Sequence, residues 1–253
     1  MRLTFLLVFV LGGVEMAKAQ EKPIVKTTHT FKTVGDVKIQ ADVYRPDDKD
    51  FRPVVVWLHG GALINGNRNS TPKQIADLCR TEGYVLVSFD YRLAPEVKLP
   101  AIIEDLEDAF RWLHEKGPSL FNADTKRVVV TGGSAGGYLT LTAGFRVKPR
   151  PTALVAYWGY GDIDGEWYTK PHEYYRKKFG LIDKDEAYKA VNKGVLTGSE
   201  GDVSRARSRY YLYLRQNGMW TKEVAGLEPG KDQKKIDSYC AVRNLTHRSI
   251  RLR

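Results

Sequence analysis

Short apolar runs alternate with amphipathic stretches along most of the chain. Residues 52–58, 84–89, 127–131 and 152–157 are apolar segments in which valine and other strand-favouring residues recur. Such runs are typical of strands that are buried on both faces of a parallel sheet. The stretches between them carry apolar residues at helical spacing. The pattern therefore predicts a mostly parallel sheet with helices on both faces.

Glycine and proline residues predict where several of these elements begin and end. A hairpin is predicted over residues 28–44. Residues 71–74 read Thr-Pro-Lys-Gln, a capping box that predicts the start of a helix ending at Gly83. A second helix is predicted over residues 100–116, where we expect Gly117-Pro118 to stop it.

The chain changes character after residue 160. Residues 161–238 are charged and rich in tyrosine and tryptophan, and they contain no convincing buried strand. Since aromatic side chains need burial, we expect a helical, cap-like insertion over one end of the sheet rather than a linker. Most aromatic residues in and just before it are expected to pack in the core, with the lining of an acyl or ring pocket as the alternative. These residues are Tyr157, Trp158, Trp167, Tyr168, Tyr174 and Tyr175.

One motif carries the chemistry of the sequence. Residues 132–136 read Gly-Gly-Ser-Ala-Gly, a G-x-S-x-G pattern between a predicted strand and a predicted helix. A sharp turn there would lift the Ser134 hydroxyl clear of the sheet, and the helix start would aim N–H groups at developing negative charge. A side chain at Gly132 or Gly136 is expected to clash with the neighbouring strand and helix. No lysine follows the glycines, which excludes a phosphate-binding loop.

A second motif follows the strand predicted over residues 52–58. Residues 59–62 read His-Gly-Gly-Ala. Glycines let backbone N–H groups approach a ligand closely, which is what an oxyanion hole requires. His59 itself is expected to have a structural role.

Together with a third segment, these motifs resemble a known family. Residues 90–96 read Asp-Tyr-Arg-Leu-Ala-Pro-Glu, and the three segments occur in the order and spacing of hormone-sensitive-lipase-like α/β-hydrolases. That family includes bacterial acetyl esterases and related carboxylesterases. The resemblance covers residues 35–160, and one departure is Gly133, where the family often has an acidic residue.

The resemblance implies an α/β-hydrolase fold and a role for each segment. Ser134 would attack an ester carbonyl. The N–H groups of Gly60, Gly61 and Ala135 would hold the resulting oxyanion, and residues 90–96 would support the site.

The carboxyl-terminal part departs from the family pattern. In this fold the acid and then the histidine of the triad follow late strands, yet only 16 residues follow Asp237. The histidines beyond the candidate nucleophile are His172 and His247, and neither is expected to be the base. We expect a shortened esterase that lacks its last strands, with residues 152–157 as an exposed edge strand. A frameshift near Asn244 would explain the basic, patternless end of the chain.

The amino terminus predicts a signal peptide over residues 1–19, which leaves a hydrolase domain over residues 20–253. Arg2 supplies a positive charge, residues 3–11 are apolar apart from one threonine, and residues 17–19 read Ala-Lys-Ala. An uncleaved anchor is the alternative, although this apolar run is too short to span a bilayer. We expect a secreted or periplasmic protein without stable membrane insertion.

Composition narrows the remaining possibilities. Cys79 and Cys240 cannot form a disulfide framework; export would permit them to pair, but buried free thiols are the expectation. Five scattered histidines offer no metal-ligand spacing, and we expect no metal or other cofactor. The net charge of +10 comes from dispersed lysines and arginines. Since the basic cluster at residues 176–178 is typical of a solvated helix face, we expect no nucleic-acid binding.

Three functions therefore remain open at this point. The first is a serine esterase whose partner is a small-molecule ester. Its substrates would be small acyl or aromatic esters, which include acetylated and feruloylated sugars. The second is a peptidase or amidase on the same scaffold. The third is a non-catalytic binding protein, which the absence of a recognisable triad acid and base favours. Acyl and alcohol preference and oligomeric state are not indicated by the sequence.

Overall fold

The computed structural model describes residues 22–198 and 204–245, which build one six-stranded sheet in the order β1-β2-β4-β3-β5-β6. Strands β3 to β6 pair in parallel, whereas β1 pairs with β2 and β2 with β4 in antiparallel fashion. The predicted hairpin and mostly parallel sheet are confirmed. The strands are β1 Ile24–Val34, β2 Val37–Pro46, β3 Arg52–Leu58, β4 Val85–Phe89, β5 Ala123–Gly133 and β6 Ala153–Tyr157.

Helices cover both faces of this sheet, as predicted. Helices α2 and α3 pack on the face that presents Val54, Val56 and Val130, and α1 lies against the opposite face at Val55 and Trp57. The α-helices of the described residues are α1 Lys73–Glu82, α2 Leu99–Phe121, α3 Ala135–Arg146, α4 Glu166–Thr169, α5 Glu173–Phe179, α6 Lys184–Tyr188, α7 Ser204–Asn217, α8 Gln233–Tyr239 and α9 Ala241–Asn244. A 3-10 helix over Arg68–Ser70 and a π-helix over Thr221–Ala225 complete them.

Two of the predicted helix boundaries are wrong, whereas the end of α1 at Gly83 is confirmed by its left-handed φ of 67°. Pro72, not a threonine, is the N-cap of α1, and no side-chain cap bond forms. The Thr71 hydroxyl is buried and has no hydrogen-bond partner among the described residues. Helix α2 continues through Pro118 to its end at Phe121. Pro118 lies in the last turn of α2, so the hydrogen bond that a proline lacks is lost close to the helix end.

The chain after β6 is helical, as expected. Within the described residues, the one isolated β-bridge between this segment and the rest of the protein joins Thr197 to Arg92. The expected burial of most aromatic residues is wrong: Trp158 is 81% exposed, and three of the other five residues are also exposed. One of them ends β6, one follows that strand directly, and the other two lie on helices of only four and seven residues, which offer too little surface to cover them. The exposed residues are Tyr157, Trp158, Trp167 and Tyr174.

Strand β6 forms one edge of the sheet. It pairs with β5, and no described strand lies on its other side. Val155 and Tyr157 on this strand are exposed. The expected edge strand is therefore confirmed for the part of the chain that the structure describes.

The two cysteines are free, as expected. Cys79 on α1 is buried against Val55 and Trp57, whereas Cys240 belongs to the main core on the other side of the sheet. Burial raises the pKa of Cys79 to about 12 and that of Cys240 to about 11.

Some expectations concern residues outside the described part of the chain. The predicted signal peptide over residues 1–19 and the terminal histidine His247 both lie there. Among the helices that the structure describes, none combines the length and the apolar character needed to cross a bilayer.

A buried charge cluster lies where β2 and β4 meet the segment after β3. Asp42 is fully buried and pairs with Lys26 Nζ at 2.8 Å and Arg68 Nε at 3.0 Å. Arg68 also binds Asp90 through its guanidinium and through its backbone N–H, the latter at 2.9 Å. Arg68 thus fixes the chain that leaves β3 to two neighbouring strands.

We predict a pH-dependent cost for the substitution Asp42→Asn. Burial opposes ionisation of Asp42 and by itself would raise its pKa. The hydrogen bonds from Lys26, Thr28 and Arg68 outweigh this effect and hold the pKa of Asp42 below its ordinary value. A carboxyl group with a lowered pKa stabilises the fold above the pKa of the unfolded chain, about 4, and loses this effect as the pH falls further. Urea denaturation should show a loss of about 3 kcal/mol at pH 7.

The same comparison near pH 3 should give a clearly smaller difference between wild type and variant. The exposed turn residue Asp36 provides the control, since Asp36→Asn is expected to change stability by less than about 0.5 kcal/mol. An Asp42→Asn deficit that is identical at both pH values would contradict this account of the cluster.

Candidate active site

Ser134 lies at the sharp turn between β5 and α3. Its φ of 58° and ψ of −120° are rarely adopted by residues with a side chain. The backbone N–H of Ser134 donates to the Tyr157 carbonyl at 3.0 Å, and its carbonyl accepts from the Tyr138 N–H at 3.0 Å. The residue is exposed, and its hydroxyl makes no hydrogen bond to any residue that the structure describes. The turn therefore presents a free hydroxyl at the N-terminus of a helix.

Direct backbone contact between α3 and β3 forces this turn. A Cβ atom on Gly136 would lie 1.9 Å from the Leu58 carbonyl oxygen, and one on Gly132 would lie 2.5 Å from the same atom. Such distances are far shorter than any van der Waals contact, so both positions must be glycine. The predicted clash at these two positions is confirmed.

The segment over residues 60–66, here called the glycine loop, meets Ser134 from the end of β3. A Cβ atom on Gly60 would lie 3.5 Å from Ser134 Cβ, which makes the two residues direct neighbours. The N–H groups of Ile64 and Asn65 both donate to the Gly61 carbonyl at 2.9 Å and close the loop into a tight turn. Gly61 has a φ of 108°, so the turn uses the conformational freedom of glycine.

Three backbone donors remain unpaired on the two segments that meet at Ser134. The N–H groups of Gly60, Gly61 and Ala135 make no hydrogen bond within the described residues. Ala135 is the first residue of α3, where the helix dipole favours negative charge. The structure thus brings the residues singled out in the sequence to one place and leaves their donors free.

His59 is packed beneath the glycine loop. Its ring stacks on Tyr91 at 4.0 Å between centroids, and its Nδ1 lies 2.8 Å from the Gly60 carbonyl oxygen. Since a carbonyl only accepts, Nδ1 carries the proton. Burial lowers the pKa of His59, against the opposing effects of Asp90 and the Gly60 bond, so the ring is neutral at pH 7. These contacts support the expected structural role.

The described residues supply no base in contact with the candidate nucleophile. No histidine or carboxylate among residues 22–198 and 204–245 hydrogen-bonds to Ser134. His172 lies at the N-cap of α5, where its ring packs against Tyr175 with 5.3 Å between centroids. Nor does any group of three or more potential metal ligands occur among the described residues.

An open cleft of about 600 Å³ extends from the glycine loop. This volume falls within the range of about 300–1,000 Å³ that is typical of small-molecule sites. The exposed Trp158 lies at the turn itself, because a Cβ atom on Gly133 would be 3.5 Å from its indole nitrogen. The sequence did not indicate the cleft residues outside the glycine motif, since their placement depends on the path of the loop. The cleft is lined by Trp57, Gly60, Gly61, Asn65, Gly66, Ser70 and Ser208.

We predict opposite outcomes for an added methyl group at two glycines of the turn. Gly136→Ala should destabilise the protein by about 3 kcal/mol or more, because neither the Leu58 carbonyl nor α3 can move without separating β3 from β5. Gly133→Ala places its methyl group in ordinary contact with Trp158 and should cost less than about 1 kcal/mol. Thermal or urea denaturation of both variants checks this, and equal stability of the two variants would contradict the close approach of Gly136 to the Leu58 carbonyl.

Comparison with known proteins agrees with this geometry. A family model described as alpha/beta hydrolase fold matches residues 55–209. The carboxylic ester hydrolase LipN of Mycobacterium tuberculosis is 30% identical over 204 residues, which are 78% of this chain and 54% of LipN. The non-reducing polyketide synthase Preu3 of Preussia isomera is 34% identical over 160 residues, which are 57% of this chain and 6% of the synthase.

A solved structure shows the same fold. The alpha/beta hydrolase superfamily protein from Enterococcus faecalis has a TM-score of 0.65 and 24% identity, covering 89% of this chain and 74% of that one. The chain thus spans about half the length of LipN and a small part of the polyketide synthase. The matched region contains the glycine loop, residues 90–96 and the turn at Ser134. The resemblance inferred from the motifs is confirmed, and the chain belongs to the α/β-hydrolase family.

Proposed function

We propose that this protein hydrolyses carboxylic esters through an acyl-enzyme on Ser134. The observation that carries the proposal is the meeting of an exposed Ser134 hydroxyl with the glycine loop, where the N–H groups of Gly60, Gly61 and Ala135 are unpaired. Membership of a family that includes a named carboxylic ester hydrolase supports it.

The reaction follows from these groups. Ser134 Oγ attacks the ester carbonyl carbon, and the negative charge that develops on the carbonyl oxygen is held by the three N–H groups. One such donor contributes about 3–4 kcal/mol to stabilisation of the transition state. The carbon–oxygen bond to the alkoxide breaks, and the alkoxide leaves as the alcohol with the proton that Ser134 Oγ gave up. Water then attacks the acyl carbon, its oxygen stays with the released acid, and Ser134 Oγ regains a proton.

The proposal assigns a nucleophile and oxyanion donors, and it assigns no base. An oxyanion hole with bound substrate, but without a working triad, accelerates such reactions about 10³- to 10⁴-fold over water. Loss of the triad histidine or serine costs on the order of 10⁶-fold in kcat. The measured rate therefore reports directly whether a base assists Ser134.

The site favours a small ester with an apolar or aromatic group. The cleft of about 600 Å³ accepts a small molecule, and the exposed ring of Trp158 offers an aromatic surface beside the turn. We include acetylated and feruloylated sugars in this class. The amino-terminal pattern supports export of the protein by a signal peptide as a further part of the proposal.

A non-catalytic binding protein is the second candidate. It is favoured by one observation, namely that no histidine or carboxylate among the described residues hydrogen-bonds to Ser134. Such a protein would use the same cleft to bind an ester without turning it over.

We predict that the purified protein hydrolyses p-nitrophenyl acetate and is labelled by a fluorophosphonate probe. Ser134→Ala should abolish the labelling and reduce hydrolysis to the background rate, because it removes the hydroxyl that the turn exposes beside the glycine loop. Ser119→Ala is the matched control: this exposed serine of α2 bonds only to a carbonyl of its own helix, and its loss should change neither readout.

Each other outcome has a defined meaning. Faster cleavage of p-nitroacetanilide than of the ester would identify an amidase. Binding of the ester without labelling or turnover would identify a binding protein. Hydrolysis that persists in Ser134→Ala would contradict the assignment of the nucleophile.

A further inference from the structure

Arg207 is a buried cation that links the helical segment after β6 to the glycine loop. It lies on α7 and is 1% exposed. Tyr210 and Leu214 on the same helix are also fully buried, which places Arg207 on the core-facing side of α7 at helical spacing. Its partner is Glu96, whose side chain is 2% exposed and whose carboxylate lies 2.6 Å from Arg207 Nη2.

All five N–H donors of this guanidinium are used. Nε donates to the Ile64 carbonyl at 2.7 Å, and Nη1 donates to Glu96 at 2.8 Å and to the Ala190 carbonyl at 3.3 Å. Nη2 donates to Glu96 and to the Ala94 carbonyl. A guanidinium has five donors in a fixed plane, so the side chain is fully satisfied and held in one orientation.

Two of these contacts fix the loop that carries the proposed oxyanion donors. Ile64, which accepts from Nε, is one of the two residues whose N–H groups close the turn on the Gly61 carbonyl. Ala94, which accepts from Nη2, donates its own N–H to the Leu63 carbonyl at 2.8 Å. Arg207 therefore holds the glycine loop directly, and also indirectly through residues 90–96.

We propose that Arg207 is a positioning residue for ester hydrolysis: its guanidinium holds the glycine loop in the shape that leaves the Gly60 and Gly61 donors free. The inference rests on the proposed function for its effect on rate, and on geometry alone for its effect on the loop. In this inference the helical segment after β6 supports the shape of the oxyanion hole, in addition to covering the sheet. The neighbouring Ser208, which lines the cleft, shows that α7 reaches the site.

The substitution Arg207→Lys separates the charge from the hydrogen bonds. A lysine retains a positive charge for Glu96, but its single ammonium group cannot bind the Glu96 carboxylate and the Ile64 carbonyl at the same time as the guanidinium does. We expect Arg207→Lys to remain folded and to show faster hydrogen exchange in the peptide that contains residues 60–66. Because displacement of a catalytic group by about 1 Å can cost 10²-fold, we expect kcat for p-nitrophenyl acetate to fall 10- to 100-fold while KM changes less than threefold.

The matched control is Arg209→Met, which removes an exposed arginine from the same helix. It should leave exchange, kcat and KM at their wild-type values. If Arg207→Lys does not fold, Glu96→Gln provides the second test. The neutral amide removes the negative charge that faces Arg207 and one hydrogen-bond acceptor. Hydrogen exchange of residues 60–66 should become faster than in the wild-type protein, by less than is expected for Arg207→Lys.

Two results would overturn the inference. One is wild-type exchange of residues 60–66 in a folded Arg207→Lys protein. The other, if only Glu96→Gln folds, is faster exchange confined to α7. Failure of the proposed function is distinguishable from both results. If the wild-type protein has no esterase activity but Arg207 holds the loop, hydrogen exchange of residues 60–66 is still faster in Arg207→Lys than in the wild-type protein.

Discussion

The contact between the first turn of α3 and the carbonyl of Leu58 determines the geometry of the whole site. Gly136 approaches that oxygen so closely that no Cβ atom fits, and Gly132 also approaches it too closely for a Cβ atom. Because this contact holds the start of α3 against the end of β3, Ser134, the residue between β5 and α3, must adopt the strained conformation seen there. The same contact brings the end of β3, and therefore Gly60, beside the Ser134 side chain. Nucleophile and amide donors are thus placed together by backbone packing.

The glycine loop needs support, because its backbone is itself strained. Gly61 is followed by two residues with positive φ, Ala62 and Leu63, a conformation that costs on the order of 1 kcal/mol or more at each non-glycine position. Three sets of contacts hold the loop from different sides. His59 stacks on Tyr91 beneath it. The pairs of Arg68 with Asp42 and Asp90 fix the chain beyond it. Arg207 donates from α7 to the Ile64 carbonyl of the loop. The buried charges therefore do more than stabilise the fold: they hold the loop around free N–H groups.

Local patterns were sufficient to predict the sheet and the turn. The valine run of β3 has the predicted bounds, because a continuous apolar segment beside glycines has few alternative structures. Gly132 and Gly136 were predicted to exclude side chains because the turn motif fixes its own geometry. Pro118 was misread as a helix stop, since a proline in the last turn removes only one hydrogen bond. The partners of Arg207 could not be predicted, because Ile64 lies 143 residues away and the contact depends on the path of the chain after β6. The one sign in the sequence that Arg207 has buried partners is its position on the same helix face as the apolar residues Tyr210 and Leu214.

The most direct test of the account is a crystal structure of the protein after reaction with a phosphonate ester. We predict a covalent bond from phosphorus to Ser134 Oγ, with the phosphoryl oxygen about 2.7–3.1 Å from the backbone nitrogens of the glycine loop and of Ala135. An adduct whose phosphoryl oxygen points to solvent, or a modified residue other than Ser134, would contradict the claim that backbone packing has built an oxyanion hole at this turn.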